Sequence, residues 1–250
     1  MILRLDEYDD LSMGEGVMRV HWFRPAGEGR YPGLVLYSEI YQVTAPIRRL
    51  AAFFAGRGYV VAVPEVYHDY EAPGTMLAYD ATGTERGNAL KVAKPVAAFD
   101  ADAVRTLDAL AAHPACDGQL GTVGVCLGGH LAYRAALDPR VKAAALFYPT
   151  DIHSGTLGAG RSDDSLARMT ELRAETLFVF GRQDPHVPFA GREAIRARLE
   201  AVGATYEWHE VNAQHAFLRD EGPRYDPALF VAATGWALSL FARVLTDRAA

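Results

Sequence analysis

The sequence predicts an α/β fold: a mostly parallel central sheet with helices packed on both faces. Two observations predict it. Short β-rich runs alternate with longer stretches of helical period along the chain. The glycine-flanked segment Gly124-Val125-Cys126-Leu127-Gly128-Gly129 also falls where one such run meets a helix with almost no connection. The 250 residues contain no repeat, low-complexity tract or linker, so one domain over 1–250 is expected. A chain of this size buries roughly three quarters of its unfolded surface and needs no disulfide or metal to fold.

Val17 to Phe23 alternates as a half-buried strand does. Leu34 to Tyr37 is a short buried strand after the Tyr31-Pro32-Gly33 turn. Thr44 before Ala45-Pro46 reads as an N-cap with proline in the first turn. The helix it opens places Ile47, Leu50 and Phe54 on one face and closes near Gly56 and Gly58. Tyr59 to Val63 is an apolar strand stopped by Pro64. Residues 65 to about 95 show no clear period, and a stretch that long is expected to be a functional loop. Further on, helices are predicted over Ala97–Ala112, Gly128–Leu137, Arg192–Val202 and Asp226–Val244. Strands are predicted over Leu120–Val125, Val141–Tyr148, Thr176–Phe180 and Thr205–Val211, with a second irregular segment from Pro149 to about Ser165.

The formal net charge is −6 and the pI about 5.7, which argues against nucleic acid as a general partner. One or two local arginines still suffice to hold a small anion. Cys116 and Cys126, ten positions apart, form neither a disulfide framework nor a zinc pattern. The N-terminus turns acidic at Asp6-Glu7 before an apolar signal core, and no apolar run is expected to reach the ~18 residues of a membrane span. A reduced, cytoplasmic setting without membrane association is the expectation, with a monomer favoured and a dimer left open.

The Gly124–Gly129 segment has the pattern of a nucleophile elbow. There the reactive residue occupies a sharp, strained turn, and glycines two positions either side avoid clashes with strand and helix. The turn aims the side chain at the start of a helix, where backbone N–H groups and the dipole favour a developing oxyanion. Cysteine stands where serine is commoner. The competing reading is a buried cysteine packed as a small hydrophobe, which suits Cys116 better because it has no such setting.

An elbow nucleophile needs a base, and the base an orienting carboxylate. In α/β-hydrolases these follow as nucleophile, acid, histidine. Asp184 lies in a turn directly after the strand ending near Phe180, and His215 just after the strand ending near Val211. His186, two residues from Asp184 on the same turn, is the poorer candidate for the base; the other histidines have no motif behind them.

With these residues in place, the chain resembles the dienelactone hydrolase (carboxymethylenebutenolidase) family from about Leu34 to Pro223. The segments that carry the resemblance are Ser38-Glu39-Ile40-Tyr41, Gly58 to Pro64, Ala72-Pro73-Gly74-Thr75, the elbow, Gly181 to Pro185, and His215 to Arg219. It implies that Glu39 contacts the resting thiol until substrate displaces it. It implies that the amides of Leu127 and Ile40 form the oxyanion hole, that Arg219 holds a substrate carboxylate, and that Arg86 is the counterpart of a second such arginine. The implied reaction is hydrolysis of an activated ester or enol-lactone, through a Cys-His-Asp triad and a thioester, on an anionic small molecule. No metal or organic cofactor is implied. The alternatives are a carboxylesterase of other substrate range and a non-catalytic binding protein on the same fold. The chain departs from the family pattern between Pro73 and Arg86, where it carries a few more residues. It departs again at Gly87-Asn88-Ala89-Leu90, where a tyrosine-like substrate contact is expected.

Overall fold

The computed structural model describes residues 1–14 and 16–246. Eight strands form one sheet: β1 (Leu3–Met13), β2 (Gly16–Pro25), β3 (Tyr31–Tyr37), β4 (Val60–Pro64), β5 (Cys116–Val125), β6 (Val141–Phe147), β7 (Glu175–Gly181) and β8 (Tyr206–Val211). Their order is β1-β2-β4-β3-β5-β6-β7-β8. β1 and β2 pair antiparallel, β2 runs antiparallel to β4, and every pairing from β4 to β8 is parallel.

The described residues form six α-helices: α1 (Ala45–Ala55), α2 (Ala81–Ala93), α3 (Val96–Ala112), α4 (Leu127–Ala135), α5 (Phe189–Val202) and α6 (Pro227–Val244). Successive strand residues point to opposite faces, so the central strands feed two separate apolar layers. Val35, Ala144 and Phe178 join Leu107 and Leu110 of α3, Leu131 of α4, and Ile195 and Leu199 of α5. On the other face, Leu34, Ala145 and Val179 join Ile47 and Phe54 of α1 with Leu240 and Phe241 of α6. Strands buried on both sides read as continuous apolar runs, which is why β4 and β7 are legible in the sequence.

Four features differ from the sequence expectation. β1 is a full strand, although its alternation at Leu3 to Asp6 and Leu11 to Met13 is broken by the acidic stretch Glu7 to Asp10. Its acidic side chains instead reach across to β2: Asp10 accepts from Arg19 at 2.8 and 2.9 Å, Glu7 from Arg24 at 2.7 and 2.9 Å, and Asp9 from the Trp22 indole at 2.8 Å. α2 forms inside the predicted irregular stretch. It buries only Gly83, Gly87 and Leu90, so it leaves no apolar period to detect, and Asp80 caps it by accepting from the Gly83 N–H at 2.8 Å. Thr44 precedes α1 as predicted but makes no side-chain cap; its hydroxyl is 2.6 Å from that of Tyr79. Finally, α6 is long and apolar enough, by length and composition, to cross a membrane, which corrects the expectation that no run is. It packs Ala233, Ala237, Leu240 and Phe241 onto the α1 side of the sheet.

Candidate active site

The parallel strands end on a common edge, and the loops leaving it enclose a pocket of about 310 Å³. At its floor Cys126 joins β5 to α4 with φ 59° and ψ −125°, a conformation rare for a residue with a side chain. The flanking glycines are sterically required. A Cβ on Gly124 would lie 2.0 Å from the Gly128 carbonyl oxygen, and one on Gly128 would lie 2.1 Å from that of Tyr37. The strain is not confined to the elbow: Gln42, Tyr148, Asp151 and Ala216 also have positive φ and sit in or beside the pocket walls.

β7 delivers Asp184 and β8 delivers His215. The two following loops approach closely at Gly181, where a Cβ would meet the Ala213 carbonyl oxygen at 2.4 Å. His215 Nδ1 donates to Asp184 Oδ2 at 2.6 Å, and Asp184 Oδ1 accepts the His186 N–H at 2.8 Å. This leaves Nε2 for the pocket. Burial opposes charge on His215, but the negative charge of Cys126 and the bond to Asp184 outweigh it and push the imidazolium up to about 10. Tyr148 and His186 pack edge-on against the His215 ring, with centroids at 5.0 and 4.6 Å.

Glu39 and Arg219 form a loose buried ion pair at 3.5 Å. Neither Glu39 Oε2 nor Arg219 Nε has a hydrogen-bond partner among the described residues, a costly state for buried polar atoms. Burial pushes the Glu39 carboxyl up, while the charges of Arg219 and His215 pull against it. The Arg219 guanidinium lies 4.4 Å over the Tyr79 ring and 5.8 Å from that of Tyr41, so stacking fixes it where the hydrogen bonds do not. Leu127 opens α4, and its N–H is one of the four at a helix start without an acceptor inside the helix. Ile40 lines the pocket, and its N–H has no hydrogen-bond partner among the described residues.

Arg86 is a correction. It extends away from the pocket and donates to Glu71 at 2.7 Å, with its side chain 48% exposed. The cations that line the pocket with Arg219 are Lys91 and Arg224. Lys91 is held by Asp151 through bonds of 3.0 and 3.1 Å, and Thr84 and Asn88 line the same wall. These residues escaped sequence reasoning, as did His186 in its packing role. The one available signal is the polar spacing Thr84, Asn88, Lys91 at i, i+4 and i+7, which places them on one helix face.

Among the described residues, one cluster has metal-ligating atoms close together: His68, Asp69 and Asp102. It is already occupied by a cation of the chain. Lys94 Nζ donates to Asp102 at 2.6 Å and to Asp69, and lies 3.2 Å from His68 Nε2.

A thiol on a strained turn after β5, a buried carboxylate after β7 and an imidazole after β8 of a mostly parallel sheet have the arrangement of an α/β-hydrolase. The sequence profile of the dienelactone hydrolase family matches residues 18–245, and the chain belongs to that family. A protein named "Putative carboxymethylenebutenolidase" from Saccharomyces cerevisiae is 42% identical over 98% of this chain and 93% of its own length. A carboxymethylenebutenolidase from Pseudomonas putida is 32% identical over 78% of each chain. Among solved structures, the "Putative Dienelactone Hydrolase" of Klebsiella pneumoniae superposes with a TM-score of 0.82 at 26% identity, covering 97% of this chain and 98% of that one. The protein is accordingly a hydrolase of this family.

Proposed function

We propose that the protein hydrolyses an enol-lactone or similarly activated ester that carries a carboxylate, with Cys126 as nucleophile. The observation that carries this reading is the geometry: Cys126, on its strained turn, shares one pocket with His215, whose Nδ1 is held by Asp184 at 2.6 Å, and these two neighbours favour the imidazolium against burial. That is the ion-pair form in which a cysteine attacks.

The Cys126 thiolate attacks the carbonyl carbon, forming the C–S bond and moving charge onto oxygen. The Leu127 and Ile40 amides receive that oxyanion. Collapse breaks the ring C–O bond, the enolate leaves with the proton of His215, and a thioester remains. His215, held in one tautomer by Asp184, then removes a proton from water. The resulting hydroxide attacks the thioester carbon, the C–S bond breaks, and the Cys126 thiolate leaves beside the imidazolium, restoring the starting pair. A tetrahedral intermediate expels a thiolate more readily than a poor alkoxide, so the substrate needs a good leaving group, and an enol meets that need. Arg219, stacked on Tyr79 with its Nε unpartnered, receives the substrate carboxylate and draws away from Glu39.

The test is the ultraviolet absorbance decay of cis- and trans-dienelactone with wild type, Cys126→Ala and Arg219→Ala. Rapid loss with wild type, none with Cys126→Ala and a raised KM with Arg219→Ala are expected. No loss of dienelactone, with Cys126-dependent cleavage of p-nitrophenyl acetate, would discard the enol-lactone and keep the thiol chemistry.

A further inference from the structure

The loop that carries Ile40 leaves β3 without ladder partners of its own and bends through Gln42 at φ 68°. What holds it against the pocket is α2. Thr84, Gly87 and Lys91 fall at i, i+3 and i+7, on one face of that helix. The Thr84 hydroxyl lies 2.8 Å from that of Tyr41. Gly87 abuts Ile40 itself: a Cβ there would come 2.5 Å from the Ile40 carbonyl oxygen and 2.9 Å from its Cβ. The buried Tyr67 hydroxyl donates to the Gly87 carbonyl at 3.1 Å, and the Tyr67 N–H donates to Gln42 Oε1 at 3.3 Å. At the far end, Lys91 is bonded to Asp151, whose neighbour Thr150 donates its N–H to the Cys126 carbonyl at 3.3 Å.

α2 therefore spans the pocket between the Ile40 loop and the Thr150–Asp151 loop. With so little apolar burial of its own, it is held in place by these few contacts. A residue pinned at its carbonyl oxygen and Cβ has little freedom left in φ and ψ, and the direction of its N–H is set with them. We propose that Gly87 is a positioning residue of the oxyanion hole: by letting α2 reach van der Waals contact with Ile40, and with Tyr67 fixing its carbonyl, it aims the Ile40 N–H at the reacting oxygen. This rests on the reading of Ile40 and Leu127 as the oxyanion donors. It also accounts for glycine at a helix-interior position, where it otherwise weakens the helix.

The experiment compares Gly87→Ala and Tyr67→Phe with wild type in three assays. These are p-nitrophenyl acetate turnover, alkylation of Cys126 by iodoacetamide, and reversible inhibition by an aryl trifluoromethyl ketone. Alkylation displaces iodide at a saturated carbon and forms no oxyanion, whereas the ketone adduct carries one. Gly87→Ala is expected to lower kcat by about 10²-fold, the size of losing one oxyanion donor, and to weaken the ketone by a similar factor. KM and the alkylation rate stay within about twofold, since both measure groups other than the oxyanion donors. Tyr67→Phe, which removes one hydroxyl and no carbon, is expected to move kcat and ketone binding the same way by about three- to tenfold, one hydrogen bond's worth. It keeps the proposal testable should Gly87→Ala fail to fold. Wild-type kcat in the folded variants overturns the proposal, and so does a parallel fall in kcat and alkylation. Turnover surviving in Cys126→Ala would instead overturn the thiol reading beneath it.

Discussion

β5 has a cysteine at each end, and the two thiols sit in opposite surroundings. Cys116 opens the strand fully buried, packed so closely that a Cβ on Gly33 would come 2.9 Å from its sulfur. Burial pushes its thiol up, and its carbonyl accepts two bonds from Arg30 at 2.7 and 3.0 Å. Cys126 directly follows the same strand half-buried, on a strained backbone, beside an open pocket and an imidazole whose charged form its neighbours favour. Residue type and strand are shared; access and neighbouring charge are not. A thiol reacts as its thiolate, so these two differences are what the proposed reactivity of Cys126 rests on.

The largest expected effect tests that separation directly. Cys126→Ala should reduce p-nitrophenyl acetate turnover by at least about 10³-fold, while Cys116→Ala stays within about twofold of wild type. Equal losses in the two variants would erase the distinction. Alkylation sharpens it: iodoacetamide followed by peptide mass spectrometry should find Cys126 modified at least ~10-fold faster than Cys116 in the native protein. In strong denaturant, where the surroundings are gone, the two rates should converge. If Cys116 stays slow when unfolded, its inertness owes nothing to the fold. A smaller effect reverses the roles. Cys116→Ala empties a fully packed site and should cost about 1–2 kcal/mol in urea unfolding, with Cys126→Ala costing less because that side chain is only half-buried and alanine keeps the Cβ that strains the turn.

The same contrast explains what could be seen in the sequence. The grouping of Cys126 and His215 at one pocket, with Asp184 bonded to His215, was legible because each stands at a fixed place in a local pattern: glycines two positions either side, or a turn shortly after a strand. Cys116 was legible as a packed side chain because it lacks such a pattern. The pocket wall built by Thr84, Asn88, Lys91 and Asp151 was not. Lys91 and Asp151 are 60 residues apart, joined only by the packing of α2. α2 itself was hidden because two glycines and a single leucine, not a stripe of large apolar residues, form its buried face. Arg86 was misplaced for the same reason. Without the helix its direction could not be known, and within it two residues beyond Thr84 is about 200° of rotation, the far side from the pocket.

The last prediction concerns the charge on His215, the quantity on which the difference between the cysteines turns. In wild type the imidazole should hold its proton through neutral pH and lose it near the raised value of about 10. The stabilisation that its charge provides is complete below the ordinary histidine value and fades as pH rises through the raised one. Two neighbours maintain it against burial, Cys126 first and Asp184 second. Cys126→Ala deletes the first and leaves the second, so the titration should move down toward the ordinary histidine value. Cys116→Ala, which alters nothing His215 touches, should leave it in place. Imidazole ¹⁵N shifts followed across pH in the three proteins measure this. If His215 titrates alike in wild type and Cys126→Ala, the imidazole draws its charge from Asp184 alone. The cysteine at the elbow would then be separated from the one at the strand's other end by access and not by charge.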